Sequence, residues 1–165
     1  MIDLSMDEPD SKSSFSTNDG SHKGRLLALD IGDKRIGMAI SDPLGITAQG
    51  LPTLSRRGKR YDIKYIIDVI VQYHVIKIVY GLPKNMNGSL GSQAEKTEDF
   101  IKQLKSRTDC LFIPWDERLT SRSAHNALKE SGMSRKKRSQ KVDMLSALLI
   151  LQNYLDLNYH TGDMR

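Results

Sequence analysis

The sequence predicts an α/β domain with a five-stranded mixed sheet and helices on both faces. Two observations carry this. The chain opens its ordered part with short apolar runs separated by a Gly-Asp-Lys turn, which is a hairpin signal. From residue 61 onward, helical spacing alternates with short β-branched runs, which is the pattern of strands joined by crossover helices.

Residues 25–31 read as a buried strand, Asp33-Lys34 as the turn and 35–41 as the returning strand. A third strand is predicted over 45–54, with Pro52 placing it near a sheet edge. Residues 61–74 form a helix whose apolar face is Ile63, Ile66, Ile67, Ile70 and Val71. Residues 75–80 are the fourth strand, and 81–89 carry too many turn formers to be regular. A polar amphipathic helix follows over 93–107, with Ala94, Phe100, Ile101 and Leu104 inside, then a fifth strand over 111–114. Thr120 or Ser121 caps a helix ending near Ser131, stopped by Gly132. Residues 134–140 read as a basic loop, and 141–157 as a last helix, apolar almost all round and therefore well buried. The domain spans 24–158, after an acidic, disordered tail (1–23) and before a flexible C-terminus (159–165).

The 165 residues carry a net charge of +5, unevenly spread. Residues 1–22 hold five acids and one base, so the rest carries 24 bases against 15 acids, a net of +9. That excess favours a polyanionic partner. The single cysteine, Cys110, excludes an intrachain disulfide or a cysteine metal cluster. No apolar run approaches the roughly 20 residues needed to span a bilayer, and the acidic, serine-rich start resembles no targeting segment. A cytoplasmic protein is the expectation.

Three acids stand out, each beside an apolar element. Asp30 ends the first strand, Glu117 follows the fifth, and Asp143 opens the last helix. Carboxylates near a core are costly unless they are paired or bind a cation. Brought together, these three would suit a hard divalent metal, and in a basic protein such a site points to phosphodiester cleavage. Each also has a plainer reading. Asp30 can cap its own turn, Asp143 can favour the helix dipole, and Glu117 can be a surface acid. Asp116 competes with Glu117, since neighbours on an extended chain point oppositely.

Four ordered segments carry a resemblance: Asp30-Ile31-Gly32-Asp33-Lys34-Arg35-Ile36-Gly37, Tyr80-Gly81-Leu82-Pro83-Lys84-Asn85-Met86-Asn87-Gly88-Ser89, Asp116-Glu117-Arg118-Leu119-Thr120-Ser121, and Val142-Asp143-Met144-Leu145-Ser146-Ala147-Leu148-Leu149-Ile150-Leu151. Together, over about residues 24–156, they resemble the YqgF (RuvX) family of Holliday junction resolvase-like proteins, also described as pre-16S rRNA nucleases. The resemblance implies a ribonuclease H-like fold, hydrolysis of phosphodiesters, and a role in rRNA processing and ribosome biogenesis or, alternatively, in resolving DNA junctions. It implies Asp30, Glu117 and Asp143 as the acidic site, with Mg2+ or Mn2+. The chain departs from the RuvC resolvases, which look like distant relatives. Its fourth strand ends in Tyr80-Gly81 rather than an acid, and Ser146 lies one turn beyond Asp143, leaving three acids rather than four.

Candidate nucleic-acid contacts are Arg35 and Arg118 beside the acids, Lys84 in the turn-rich loop, and two basic runs, Arg56, Arg57, Lys59, Arg60 and Arg135, Lys136, Lys137, Arg138. Arg35 and Arg118 can equally pair with Asp33 and Asp116. Trp115 is expected to pack beside the site. The chain acts as a monomer or homodimer, junction resolution requiring two active sites. A binding module without catalysis is the reading from another class, and retention of all three acids argues against it.

Overall fold

The computed structural model describes residues 24–119 and 134–161. The expected tail and the helix over 120–131 lie outside them. The elements are β1 (Arg25–Ile31), β2 (Arg35–Ser41), β3 (Ala48–Ser55), α1 (Lys59–Tyr73), β4 (Val75–Leu82), α2 (Ser92–Lys105), β5 (Leu111–Asp116), a 3-10 turn (Glu117–Leu119) and α3 (Arg135–Thr161).

The five strands form one sheet in the order β3-β2-β1-β4-β5. β1, β2 and β3 are antiparallel neighbours, and β4 and β5 add in parallel on the other side of β1. The expected mixed sheet is therefore present, with Pro52 on the edge strand β3. β1 is central and buried on both faces, so Leu26 through Leu29 read as a continuous apolar run rather than an alternation.

Alternation nevertheless sorts side chains between two cores. Leu27, Leu29, Ile36, Met38, Ile78 and Tyr80 face α1 and α2. Leu26, Ala28, Ala39 and Val79 face α3, where they meet Ala147, Ile150, Leu151 and Leu155. Because the side-chain period along a strand is two, Asp30, Gly37 and Gly81 also fall on the α3 face.

That face is cut away where α3 crosses it. A side chain at Gly37 would strike the backbone carbonyl of Asp143, and one at Gly50 would meet Met144 Sδ at 2.6 Å. Glycine in a strand interior marks close approach of another group; here it seats the helix backbone on β2 and the Met144 side chain on β3. Gln152 anchors the next turns, accepting from the Ala48 backbone N–H at 3.0 Å.

Four sequence expectations are corrected. Residues 135–140 are not a loop but the first turns of α3, closed by the Arg138 N–H bond to the Ser134 carbonyl at 2.9 Å. Arg, Lys and Gln are good helix formers, and nothing in the run breaks a helix. α3 also continues to Thr161, so residues 159–161 of the expected flexible end are helical. Finally, α3 is not buried all round: Leu157 and Tyr159 are exposed, because the sheet covers only one side. On α1 the inner face is Ile63, Ile66, Val69 and Ile70, with Val71 exposed.

One buried charge ties the sheet end together. Asp62, fully buried in α1, accepts from Arg56 Nε at 2.9 Å and from the Arg57 backbone N–H at 3.0 Å. The same guanidinium donates to the Gly32 carbonyl at 2.9 Å, and the Arg56 N–H reaches the Lys34 carbonyl at 2.9 Å. The loop after β3 is thereby clamped to the β1–β2 turn. Replacing Asp62 by Ala leaves Arg56 without its counter-charge. The expected loss is about 3 kcal/mol, the low end for a broken buried pair because Arg56 keeps some contact with water. Chemical denaturation checks this, with Asp68→Ala, which removes only the exposed pair with Lys64, expected to cost about 0.5 kcal/mol or less.

Candidate active site

The candidate site lies at the carboxyl ends of β1, β4 and β5. Asp30 is the penultimate residue of β1, and its cross-strand partner is Gly37. Asp143 rides on α3 directly over Gly37, so the glycine gap brings the helix backbone down beside Asp30. Glu117 enters from the other side. It follows β5, whose Trp115 is paired with Gly81 of β4, and its side chain lies over that glycine, with Cγ 2.9 Å from where a Cβ would stand. Two glycines without side chains on one face thus make space, one for the Asp143 backbone and the other for the Glu117 carboxyl.

Asp30 and Glu117 are hydrogen-bonded to each other. Burial pushes the Glu117 carboxyl up to about 8, helped by the negative charge of Asp30, by that hydrogen bond and by the charge of Asp116. The pair therefore resists full ionisation near neutral pH, because two adjacent carboxylates in a partly dry site repel each other. Asp143 has a different partner: Arg35 Nε donates to its Oδ2 at 2.6 Å.

Asp116 and Glu117 diverge geometrically. Asp116 turns onto Arg118, accepting from its backbone N–H at 3.1 Å and from its guanidinium at 2.6 and 3.0 Å. The Arg118 guanidinium beside it holds the Asp116 carboxyl below the usual range. Glu117 is the one that meets Asp30. Arg118 is engaged with Asp116, while Arg35 meets Asp143 and not Asp33, whose carboxylate accepts from Lys96 instead.

The remaining cations divide by environment. Arg56 is turned inward on Asp62, as described. Arg57, Lys59 and Arg60 are exposed and, with Tyr61, Lys64 and Arg107, line an open cleft of about 610 Å3. Arg57 stacks on Tyr61 at 5.1 Å from the ring centroid, and Lys59 pairs with Asp99. Arg135, Lys136 and Lys137 are exposed on the first turn of α3, and Arg138 is half-buried. Lys84 is exposed near Asp116, at the neck of a loop closed by its bridge to Leu90. Both basic runs fall at the acidic end of the sheet. The β3–α1 loop is clamped to the β1–β2 turn, and Thr53 of β3 holds the Gln140 carbonyl of α3 at 2.8 Å. Trp115 packs against Tyr154 edge to face, with centroids 6.2 Å apart.

Sequence reading named the acids but not the glycines that seat them. The signal was present, since Gly37 and Gly81 interrupt runs that are otherwise strand-like, and an isolated glycine in a strand means a bulge or a close neighbour.

The donor set is of oxygen only, and it fits a hard divalent cation. Two hydrogen-bonded carboxyls, one of them pushed toward its protonated form by burial, are the situation a cation relieves.

Comparison with known proteins agrees with this architecture. A family model described as "RuvX: Holliday junction resolvase" matches residues 24–157. A Clostridium tetani protein named "Putative pre-16S rRNA nuclease" is 53% identical over 136 residues, covering 82% of this chain and 99% of its own. A Clostridioides difficile protein of the same name is 48% identical, covering 84% and 98%. Among solved structures, T. thermophilus RuvC in complex with a Holliday junction substrate superposes with a TM-score of 0.54 at 9% identity, covering 84% of this chain and 97% of that one, a likeness of fold. The sheet order, the placement of the acids at its carboxyl end and the match over residues 24–157 lead to one conclusion: the chain belongs to the RuvX family, with a ribonuclease H-like fold.

Proposed function

We propose that this protein is a metal-dependent endonuclease that hydrolyses phosphodiesters of structured nucleic acid, and that its substrate is the 5′ end of precursor 16S rRNA, in the cytoplasm. The observation that carries the reaction is the Asp30–Glu117 pair at the end of the sheet, with Glu117 seated over Gly81 and the Asp143 backbone of α3 seated over Gly37. The substrate follows from the names of the relatives at about 50% identity.

Asp30, Glu117 and Asp143 would hold Mg2+ or Mn2+. Such a cation, when bound, supplies positive charge for activating water and for stabilising the leaving oxygen. The chain's own part is positional. Asp30 is fixed by the central strand, Glu117 by the 3-10 turn after β5, and Asp143 by the seating of α3. The exposed cations of the α1 start and the α3 start lie at the same end and would grip phosphates without reading sequence.

A second reading, resolution of four-way DNA junctions, is favoured by the family description and the likeness of fold to RuvC. It requires two sites acting as a pair and hence a homodimer.

The decisive experiment offers end-labelled precursor rRNA and a synthetic four-way junction side by side, with Mg2+ or Mn2+. Wild type is expected to cut the RNA, and Asp30→Asn to lose more than the roughly 100-fold typical of groups that merely orient a metal ligand. Binding without cutting by both proteins would make the chain a non-catalytic binder.

Gly81→Ala is expected to abolish most cleavage, because the new methyl takes the place of the Glu117 carboxyl. Stability should fall by about 1 kcal/mol, the low end for an added buried methyl, since the colliding atoms end a flexible side chain.

The Glu117 proton also gives a pH signature. Its carboxyl is raised from 4.5 to about 8, so between these values the folded protein holds a proton the unfolded chain has released. This contribution to stability is complete below about pH 4.5 and is lost as pH rises through 8. Melting scans without divalent metal should therefore show wild type losing stability relative to Glu117→Gln between pH 5 and pH 8.5. A pH-independent difference would mean that Glu117 is not protonated near neutrality.

A further inference from the structure

The acids of the site are present but not gathered. Asp30 and Glu117 touch each other, whereas Asp143 is held by Arg35. Among the described residues, no group of three or more His, Cys, Asp and Glu is arranged to hold a metal ion. The backbone of Asp143 is already in place over Gly37, so what separates the third acid from service is the engagement of its side chain rather than the position of its helix.

Arg35 is well suited to a temporary engagement. It opens β2, directly after the β1–β2 turn, and reaches an acid 108 positions away in sequence. Both side chains of the pair are about a quarter to a third exposed, at 30% for Arg35 and 26% for Asp143. The pair is open to water on one side, so solvent can take over part of its hydrogen bonding when it parts. Its bond to Asp143 uses Nε, one of five N–H donors of the guanidinium. A phosphodiester presents two oxygens to that planar fork and competes with the carboxylate for it.

Resting on the nuclease reading above, we propose that Arg35 is a substrate-operated latch on the acidic site. In the protein without nucleic acid it occupies the Asp143 carboxylate. A phosphodiester arriving at the mouth of the site takes over the guanidinium and releases that carboxylate to complete the cation site beside Asp30 and Glu117. Arg35 acts through Asp143, as a positioning residue. The device couples two ligands: nucleic acid tightens metal binding, and by thermodynamic linkage metal tightens nucleic-acid binding by the same factor.

The test is Mn2+ binding to the full chain by calorimetry, with no turnover measured, in the absence and presence of a phosphorothioate RNA hairpin that resists cutting. Wild type is expected to bind Mn2+ weakly alone and about fivefold or more tightly with the RNA, the lower bound of usual coupling between sites. Arg35→Gln is expected to bind Mn2+ more tightly than wild type without RNA and to gain little from RNA. Adding Asp143→Asn to Arg35→Gln should remove the gain, since the released carboxylate is its source. If Arg35→Gln fails to fold, Arg35→Lys, which keeps the charge but loses the fork, should fall between wild type and full release. Binding by the folded Arg35 variant equal to or weaker than wild type overturns the latch. Mn2+ binding indifferent to Asp30→Asn overturns instead the acidic-site reading on which the latch rests, so the two failures are distinguishable.

Discussion

The close approach of α3 to the sheet is the constraint on which the site depends. At Gly37 the helix backbone comes so near to β2 that no side chain could stand between them, and one strand further out Gly50 makes room for the Met144 side chain. Close packing makes such contacts unforgiving, because a single added methyl has nowhere to go. The same approach serves two purposes. It buries Ala147, Ile150, Leu151 and Leu155 on the sheet, and it lowers the third turn of the helix until Asp143 stands beside the end of β1. Stability of the second core and assembly of the site are therefore one geometric event.

The opposite face of the sheet has another task. α1 and α2 cover Leu27, Leu29, Ile36, Met38 and Ile78, and the buried Asp62–Arg56 pair fastens their end of the structure to the β1–β2 turn. Asp30 is thus held from behind by an apolar core and from the side by a clamped turn. Burial raises the proton affinity of Glu117, and the charge of a carboxylate fixed in this way raises it further.

Much of the fold was legible because the strands and crossover helices obey local rules. β1 and β2 match the predicted runs, and the inner face of α2 is the predicted Ala94, Phe100, Ile101 and Leu104. The start of α3 was misread for a physical reason: a run of Arg and Lys looks like a solvated loop, although the same residues are good helix formers and an exposed first turn accepts them. At the site, the identities of the three acids were visible as carboxylates beside apolar runs. Their partners were not. That Arg35 meets Asp143 rather than Asp33 depends on where a helix a hundred residues later crosses the sheet, which no local pattern encodes. The division between Asp116 and Glu117 needed the turn after β5, where one acid bends back onto Arg118 and the other continues over Gly81.

The clamp on the β3–α1 loop changes what the basic composition means. In the run beginning at Arg56, the first guanidinium is spent inside the protein on Asp62 and the Gly32 carbonyl, and the Lys59 ammonium is shared with Asp99. Arg57 and Arg60 remain exposed, and Arg57 lies along Tyr61. Counterion release on binding a polyanion scales with the phosphates neutralised, not with the cations in the sequence. The electrostatic reach of this domain is consequently shorter than its excess of bases implies, and part of its positive charge is architecture: it holds the loop in the shape from which the other cations project.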